Sequence, residues 1–253
     1  EAAFQDNVLG TMNFFAAFGK PREHPHSEWG KPFEHGTPDG YQFFMDMGPL
    51  KNANEKYLHG EIPFWDESAR HPNYDAFWRE RNLLPHLKNI TPAVMTVGGW
   101  FDAEDLYGPL KIYQTVERNN PDTFNILVMG PWVHGGWSRS DGDAVGTARF
   151  DAKTALFYRE HIELPFFNYH LKSAPKPNLP EAYVFETGMN RWRTFDDWPP
   201  SERAQQAMYL QEKGALSFEA PTDEADAFDE YVSDPAKPVP FTQAIAKGMT
   251  KEY

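Results

Sequence analysis

The clearest pattern along the chain is a pair of short apolar runs, each ending in glycine and then in reactive side chains. Ala93-Val-Met-Thr-Val97 follows Pro92 and gives way to Gly98-Gly-Trp-Phe-Asp102-Ala-Glu104-Asp105. Phe124-Asn-Ile-Leu-Val-Met129 gives way to Gly130-Pro-Trp-Val-His134-Gly-Gly-Trp137. Runs of this length and apolarity fit strands buried on both faces of a sheet. One helix-sized segment, Pro109 to about Arg118, lies between them. The pattern predicts a strand–helix–strand unit with an acid past the first strand and a histidine past the second. Open α/β sheets build their sites at such carboxyl ends.

The flanks differ from this centre. Leu9, Met12, Phe14, Phe15 and Phe18 have helical spacing, closed by Gly19-Lys-Pro21. Residues 21–39, with His24, His26 and His35, form a long loop, either solvated or a His-rich metal site. Gly40–Met47, Asn52–Tyr57 and Pro72–Arg81 follow as aromatic-rich helical stretches. Past the centre, residues 151–172 predict a helix interrupted at Pro165, and residues 172–180 a proline-rich linker. The pattern then becomes β. Ala182–Phe185, Trp192–Phe195 and Ala207–Leu210 are strand candidates, separated by turn signals at Gly188, Pro199-Pro200 and Gly214. The expected division is a helical region over 1–90, an α/β core over 91–173 and part of an all-β sandwich or jelly roll over 181–253.

Composition narrows the chemistry. A net charge of −13 over 253 residues argues against nucleic acid and anionic membranes as partners, and is compatible with a cationic substrate. There is no cysteine, so disulfides, thiolate nucleophiles and Cys-based zinc sites are ruled out. No apolar run approaches the roughly 18 residues of a membrane helix. No signal peptide is recognisable, and the residues fix no compartment. The chain starts at Glu1 without Met and stops at Tyr253 after a polar stretch, which suggests an internal piece of a longer protein.

Asp102 and His134, 32 residues apart, are the sharpest pair. A carboxylate can fix the tautomer of an imidazole, and the imidazole can then act as general base and acid. This is the order Asp then His at the end of an α/β-hydrolase, where serine comes first. Asp102 serves equally as a cap for the following helix, and His134 could be packed between Trp132 and Trp137. Glu104 and Asp105 are open in the same way. They could hold an ammonium group, or they could complement the dipole of a helix that starts near Pro109. Asp102, Glu104, Asp105 and His134 are also possible metal ligands, but no familiar ligand spacing accompanies them, so no metal is expected. No serine stands in Gly-x-Ser-x-Gly or directly after a buried strand. Ser138 and Ser140 follow His134, on the wrong side in chain order. The nucleophile is therefore expected upstream of residue 1.

Gly98-Gly-Trp-Phe-Asp-Ala-Glu-Asp-Leu-Tyr-Gly108 together with Gly130-Pro-Trp-Val-His-Gly-Gly-Trp137 resembles the CocE/NonD hydrolases, relatives of the X-Pro dipeptidyl-peptidases. Within that group it is most similar to the α-amino-acid ester hydrolases and the glutaryl (cephalosporin) acylases. The resemblance continues through Glu163–Phe167, Val184–Arg193 and Tyr231–Pro240, and so covers the chain from about residue 36. It implies the C-terminal part of an α/β-hydrolase core with a helical cap, followed by an incomplete jelly roll. It implies a serine hydrolase or acyltransferase that works through an acyl-enzyme and needs no cofactor, with Asp102 and His134 as triad members. Glu104 and Asp105 match an acidic cluster that binds a substrate's α-ammonium. The third acid of that cluster has Asp6 as its nearby candidate, but Gln5-Asp-Asn-Val departs from the family pattern. Substrates would be α-amino acyl esters or amides, or short peptides with a free α-amino group. X-Pro dipeptidyl-peptidase or glutaryl acylase activity is the alternative, and a non-catalytic fragment or binding module the reading from another class. Relatives are often exported and often homo-oligomeric. The 253-residue piece alone is expected to be inactive.

Overall fold

The computed structural model describes residues 33–221, 228, 230–240 and 242–246, together with 19 and 27–28. The helix expected over residues 1–20, with Asp6, and the loop histidines His24 and His26 lie outside the described residues.

The centre of the chain folds as its pattern predicts. Strand β1 (Val94–Gly99) pairs in parallel with β2 (Asn125–Gly130), and helix α4 (Tyr107–Asn119) connects them. All six residues of β2 are buried, because both faces of the sheet are covered. The period-2 alternation of a strand sorts its side chains between the two faces. Leu127 and Met129 meet Tyr113 of α4. Ile126 and Val128 meet Ala155, Tyr158, Ile162 and Phe166 from the helical stretch 154–172.

That stretch is not broken at Pro165. It runs as α6 (Thr154–Tyr158), a π-helical turn (Arg159–Glu163) and α7 (Leu164–Lys172). The wider turn restarts the helix so that Pro165 falls in the first turn of α7, where its missing N–H removes little. Pro109 is likewise the third residue of α4 rather than the first.

The strands expected to open a separate β domain behave differently. Strand β5 (Ala182–Glu186) pairs in parallel with β2, and β6 (Arg191–Phe195) pairs antiparallel with β5. The sheet order is β1-β2-β5-β6. The domain boundary drawn at residue 181 is therefore corrected: residues 182–195 complete the central sheet. The physical reason is burial. Ala182, Val184 and Phe185 are apolar enough to sit beside β2, and short apolar strands have the same pattern in a sandwich as in a parallel sheet. Farther on, β7 (Tyr209–Leu210) and β8 (Leu216–Ser217) form a small antiparallel pair. Two-residue strands β3 (Ala144–Val145) and β4 (Ala148–Arg149) form another, in the loop between the short helix α5 (Gly136–Arg139) and α6.

The helical region has a core of its own. Helices α1 (Gly40–Met47), α2 (Pro63–Arg70) and α3 (Ala76–Arg81) bracket a turn at Lys51–Ala53 that widens into a π-helical turn, Asn54–Leu58. Asp39 caps α1 by accepting from the Gln42 N–H, and Asp75 caps α3 by accepting from Phe77. Phe43, Met47, Ala53, Leu58, Ile62 and Trp65 form the buried cluster. His35 is buried beside Phe33 and Phe43, with ring centroids 4.9 Å away in both cases. Asn120, at the end of α4, accepts from the Ile90 N–H and donates to the Leu87 carbonyl, which fixes the chain where it enters β1.

Candidate active site

The in-register pairing of β1 with β2 decides where the candidate residues go. Gly99 stands opposite Gly130, so the two chains leave the sheet side by side. The Trp100 N–H then donates to the Gly130 carbonyl at 2.8 Å, and the Phe101 N–H to the Trp132 carbonyl at 3.1 Å. These backbone bonds carry the parallel pairing past the strand ends and deliver Asp102 next to His134. A Cβ on Gly99 would lie 2.1 Å from the Trp132 carbonyl oxygen, so only glycine permits this approach. Gly135, at φ +67°, turns the chain immediately after His134 in a conformation that favours glycine.

His134 Nδ1 lies 3.0 Å from Asp102 Oδ2. An ionised carboxylate can only accept, so Nδ1 carries the hydrogen and Nε2 is left as the basic nitrogen. The other oxygen of Asp102 accepts from the backbone N–H groups of Glu104 at 2.9 Å and Asp105 at 3.0 Å. Asp102 thus has both of the roles open to it in the sequence, one on each oxygen. The turn it organises precedes α4, which begins only at Tyr107. Its side chain is 2% exposed, whereas that of His134 is 43% exposed. His134 does not sit between two tryptophans. Trp132 packs against Trp137 and Tyr158 in the core, and its indole N–H donates to Thr154 Oγ1.

Glu104 and Asp105 are both exposed on the turn beside the pair. Asp105 reaches back, with Oδ2 3.4 Å from His134 Nδ1. Sequence reading did not connect Asp105 to the histidine. The signal was the i,i+3 spacing of Asp102 and Asp105, which a single turn brings to the same side. It also missed Arg139, whose guanidinium donates to the His134 carbonyl at 3.1 Å and holds the backbone there. Ser138 and Ser140 donate their hydroxyls to the carbonyls of Gly135 and Gly136. Among the described residues, no serine is hydrogen-bonded to His134.

One ligand atom each from Asp102, Asp105 and His134 lies within 4.8 Å of the others, close enough to hold a cation. The nitrogen facing the carboxylates is the protonated Nδ1, so a cation there would have to displace the hydrogen that Asp102 accepts. The arrangement suits proton transfer through Nε2. No helix among the described residues is long and apolar enough to cross a membrane.

The chain is similar to known hydrolases in sequence and in fold. The model of the X-Pro dipeptidyl-peptidase (S15) family matches residues 22–136. Cocaine esterase of Rhodococcus sp. (strain MB1 Bresler) is 28% identical over 200 residues, 74% of this chain and 33% of that protein. The crystal structure of an aminopeptidase from a marine sediment Thaumarchaeota archaeon superposes with a TM-score of 0.81 at 34% identity, over 94% of this chain and 38% of the other. An α-amino acid ester hydrolase superposes with a TM-score of 0.82 at 31% identity, over 95% of this chain and 39% of the other. The chain therefore spans about a third of the length of cocaine esterase. By its sequence motifs, its sheet and these relatives, the chain is similar to the CocE/NonD hydrolases, and its residues 22–136 match the X-Pro dipeptidyl-peptidase (S15) family.

Proposed function

We propose that the full-length protein is a serine hydrolase that transfers α-amino acyl groups from esters or amides to water through an acyl-enzyme. The observation that carries this reading is the buried Asp102 paired with His134 Nδ1, with two exposed carboxylates, Glu104 and Asp105, on the same turn. The nucleophile is a serine from outside these 253 residues, since Ser138 and Ser140 are bonded into their own turn. Its hydroxyl proton passes to His134 Nε2 as the oxygen attacks the acyl carbonyl. The imidazolium, stabilised by Asp102, returns that proton to the leaving alkoxide or amine. Water repeats the sequence to release the acid. Glu104 and Asp105 bind the substrate's α-ammonium, and they would repel the free carboxylate of a glutaryl substrate. Helices α1 to α3 are the cap, and the β7–β8 pair begins a jelly roll.

The matched family model also supports X-Pro dipeptidyl-peptidase activity, which uses the same free ammonium. The test compares phenylglycine methyl ester with phenylacetic methyl ester in the full-length enzyme and in Glu104→Gln/Asp105→Asn. A preference for the amine of about tenfold or more in kcat/KM, equivalent to about 1.4 kcal/mol, is expected and should vanish in the double variant. Equal rates for both esters in both proteins would make the acids structural and the enzyme a broader esterase. Turnover of glycyl-prolyl-p-nitroanilide in preference to the amino ester would favour the dipeptidyl-peptidase reading.

A further inference from the structure

The distances around His134 point to a coupling: Asp105 is shared between the imidazole in the empty site and the substrate's ammonium in the filled one, so that substrate binding frees the general base. This rests on the ammonium-binding role proposed above. His134 has one hydrogen on Nδ1 and two carboxylates facing it, Asp102 Oδ2 at 3.0 Å and Asp105 Oδ2 at 3.4 Å. Asp102 is immobilised by two backbone N–H groups and is buried. Asp105 is 62% exposed, and among the described residues its carboxylate is paired with His134 alone. It is therefore the carboxylate free to exchange partners. The other charged group against His134 is Arg139, which engages the backbone carbonyl rather than the ring. Glu104, one residue away, is exposed and makes no ion pair with the histidine among the described residues.

Nδ1 has one hydrogen to give, so the second carboxylate competes with Asp102 for it. An imidazole shared between two acceptors is less firmly held in the one orientation that aims Nε2 at the serine. An ammonium bound at Asp105 neutralises that second charge and leaves Nδ1–H to Asp102 alone. The substrate's amine should then raise kcat as well as lower KM. An ammonium held only by Glu104 would lower KM alone.

The experiment uses the full-length enzyme and the two methyl esters, with kcat and KM measured separately for each. The inductive effect of the ammonium on the carbonyl is the same in every variant and cancels between them. For Asp105→Asn, kcat for the des-amino ester is expected to rise about two- to threefold, as the ring is left to Asp102 alone. The size is modest because Asp105 is exposed and screened. The kcat advantage of the amino ester shrinks by the same factor. Structural damage would instead lower kcat for both esters. Glu104→Gln is expected to raise KM for the amino ester without raising kcat for the des-amino ester. If Asp105→Asn raises KM for the amino ester and does not raise kcat for the des-amino ester, Asp105 is a simple ammonium ligand. The coupling is then wrong and the function proposed above stands. If the unmodified enzyme shows no preference for the amine in kcat/KM, the ammonium reading itself fails, and the coupling with it.

Discussion

Gly99 and Gly130 face each other as register partners at the carboxyl ends of β1 and β2, and neither position has room for a Cβ. At Gly99 the obstacle is backbone, the Trp132 carbonyl; at Gly130 it is the Trp132 indole. Gly99→Ala must therefore push apart the segments that carry Asp102 and His134. The expected cost is about 2–3 kcal/mol of stability, at the upper end for overpacking because the neighbour is main chain, with loss of most activity. Gly108, in the first turn of α4, has open space where a Cβ would stand. Gly108→Ala should stabilise by about 0.5–1 kcal/mol through helix propensity. Urea unfolding of the full-length variants checks both; equal midpoints would contradict the steric account.

Asp102 uses its two oxygens for different purposes, and a single substitution can separate them. In Asp102→Asn the carbonyl oxygen can still accept from the Glu104 and Asp105 N–H groups, so the turn and the fold should survive. The amide nitrogen then faces His134 Nδ1 and donates to it, which moves the imidazole hydrogen to Nε2 and removes the base. Activity in the full-length enzyme should fall by about 10⁴-fold with little change in Tm. Asp102→Ala removes both functions and should lower Tm as well, since two backbone N–H groups lose their acceptor. A tenfold loss or less in the asparagine variant would show that Asp102 acts mainly as the turn acceptor.

What could be read in the sequence was the part written in local pattern. The apolar runs before Gly98 and Gly130, and the helix between them, defined β1, β2 and α4, and parallel pairing then followed from the crossover. Asp102 and His134 were legible because each comes a few residues after a strand end. Residues 182–195 were misplaced because a short strand carries no mark of the sheet it joins; that depends on the exposed edge of β2 more than 50 residues earlier. The continuity of the helix through Pro165 was hidden because a π turn has no sequence signature of its own. Asp105 was read as a ligand or a dipole acid, and its approach to His134 depends on how the turn after Asp102 closes.

The start of β5 carries a pH dependence of stability. Glu181 precedes β5, and its Oε1 accepts from the Tyr113 hydroxyl at 2.7 Å. Burial raises the Glu181 carboxyl above its ordinary range; the Tyr113 hydrogen bond opposes this, and Glu117 and Asp197 add to it. A carboxyl raised on folding binds its proton more tightly in the folded state. Its contribution to stability is therefore present below the unfolded value of about 4.3 and is lost as pH rises through the folded value. Glu181→Gln keeps an acceptor for Tyr113 and removes the charge. The variant should show a flatter Tm against pH between about pH 4 and pH 7, and a higher Tm than the parent above neutral. If the glutamine variant is less stable than the parent at pH 8 and equal to it at pH 4, then Glu181 is held as a favourable anion. The hydrogen bond from Tyr113 would in that case outweigh the burial of the charge.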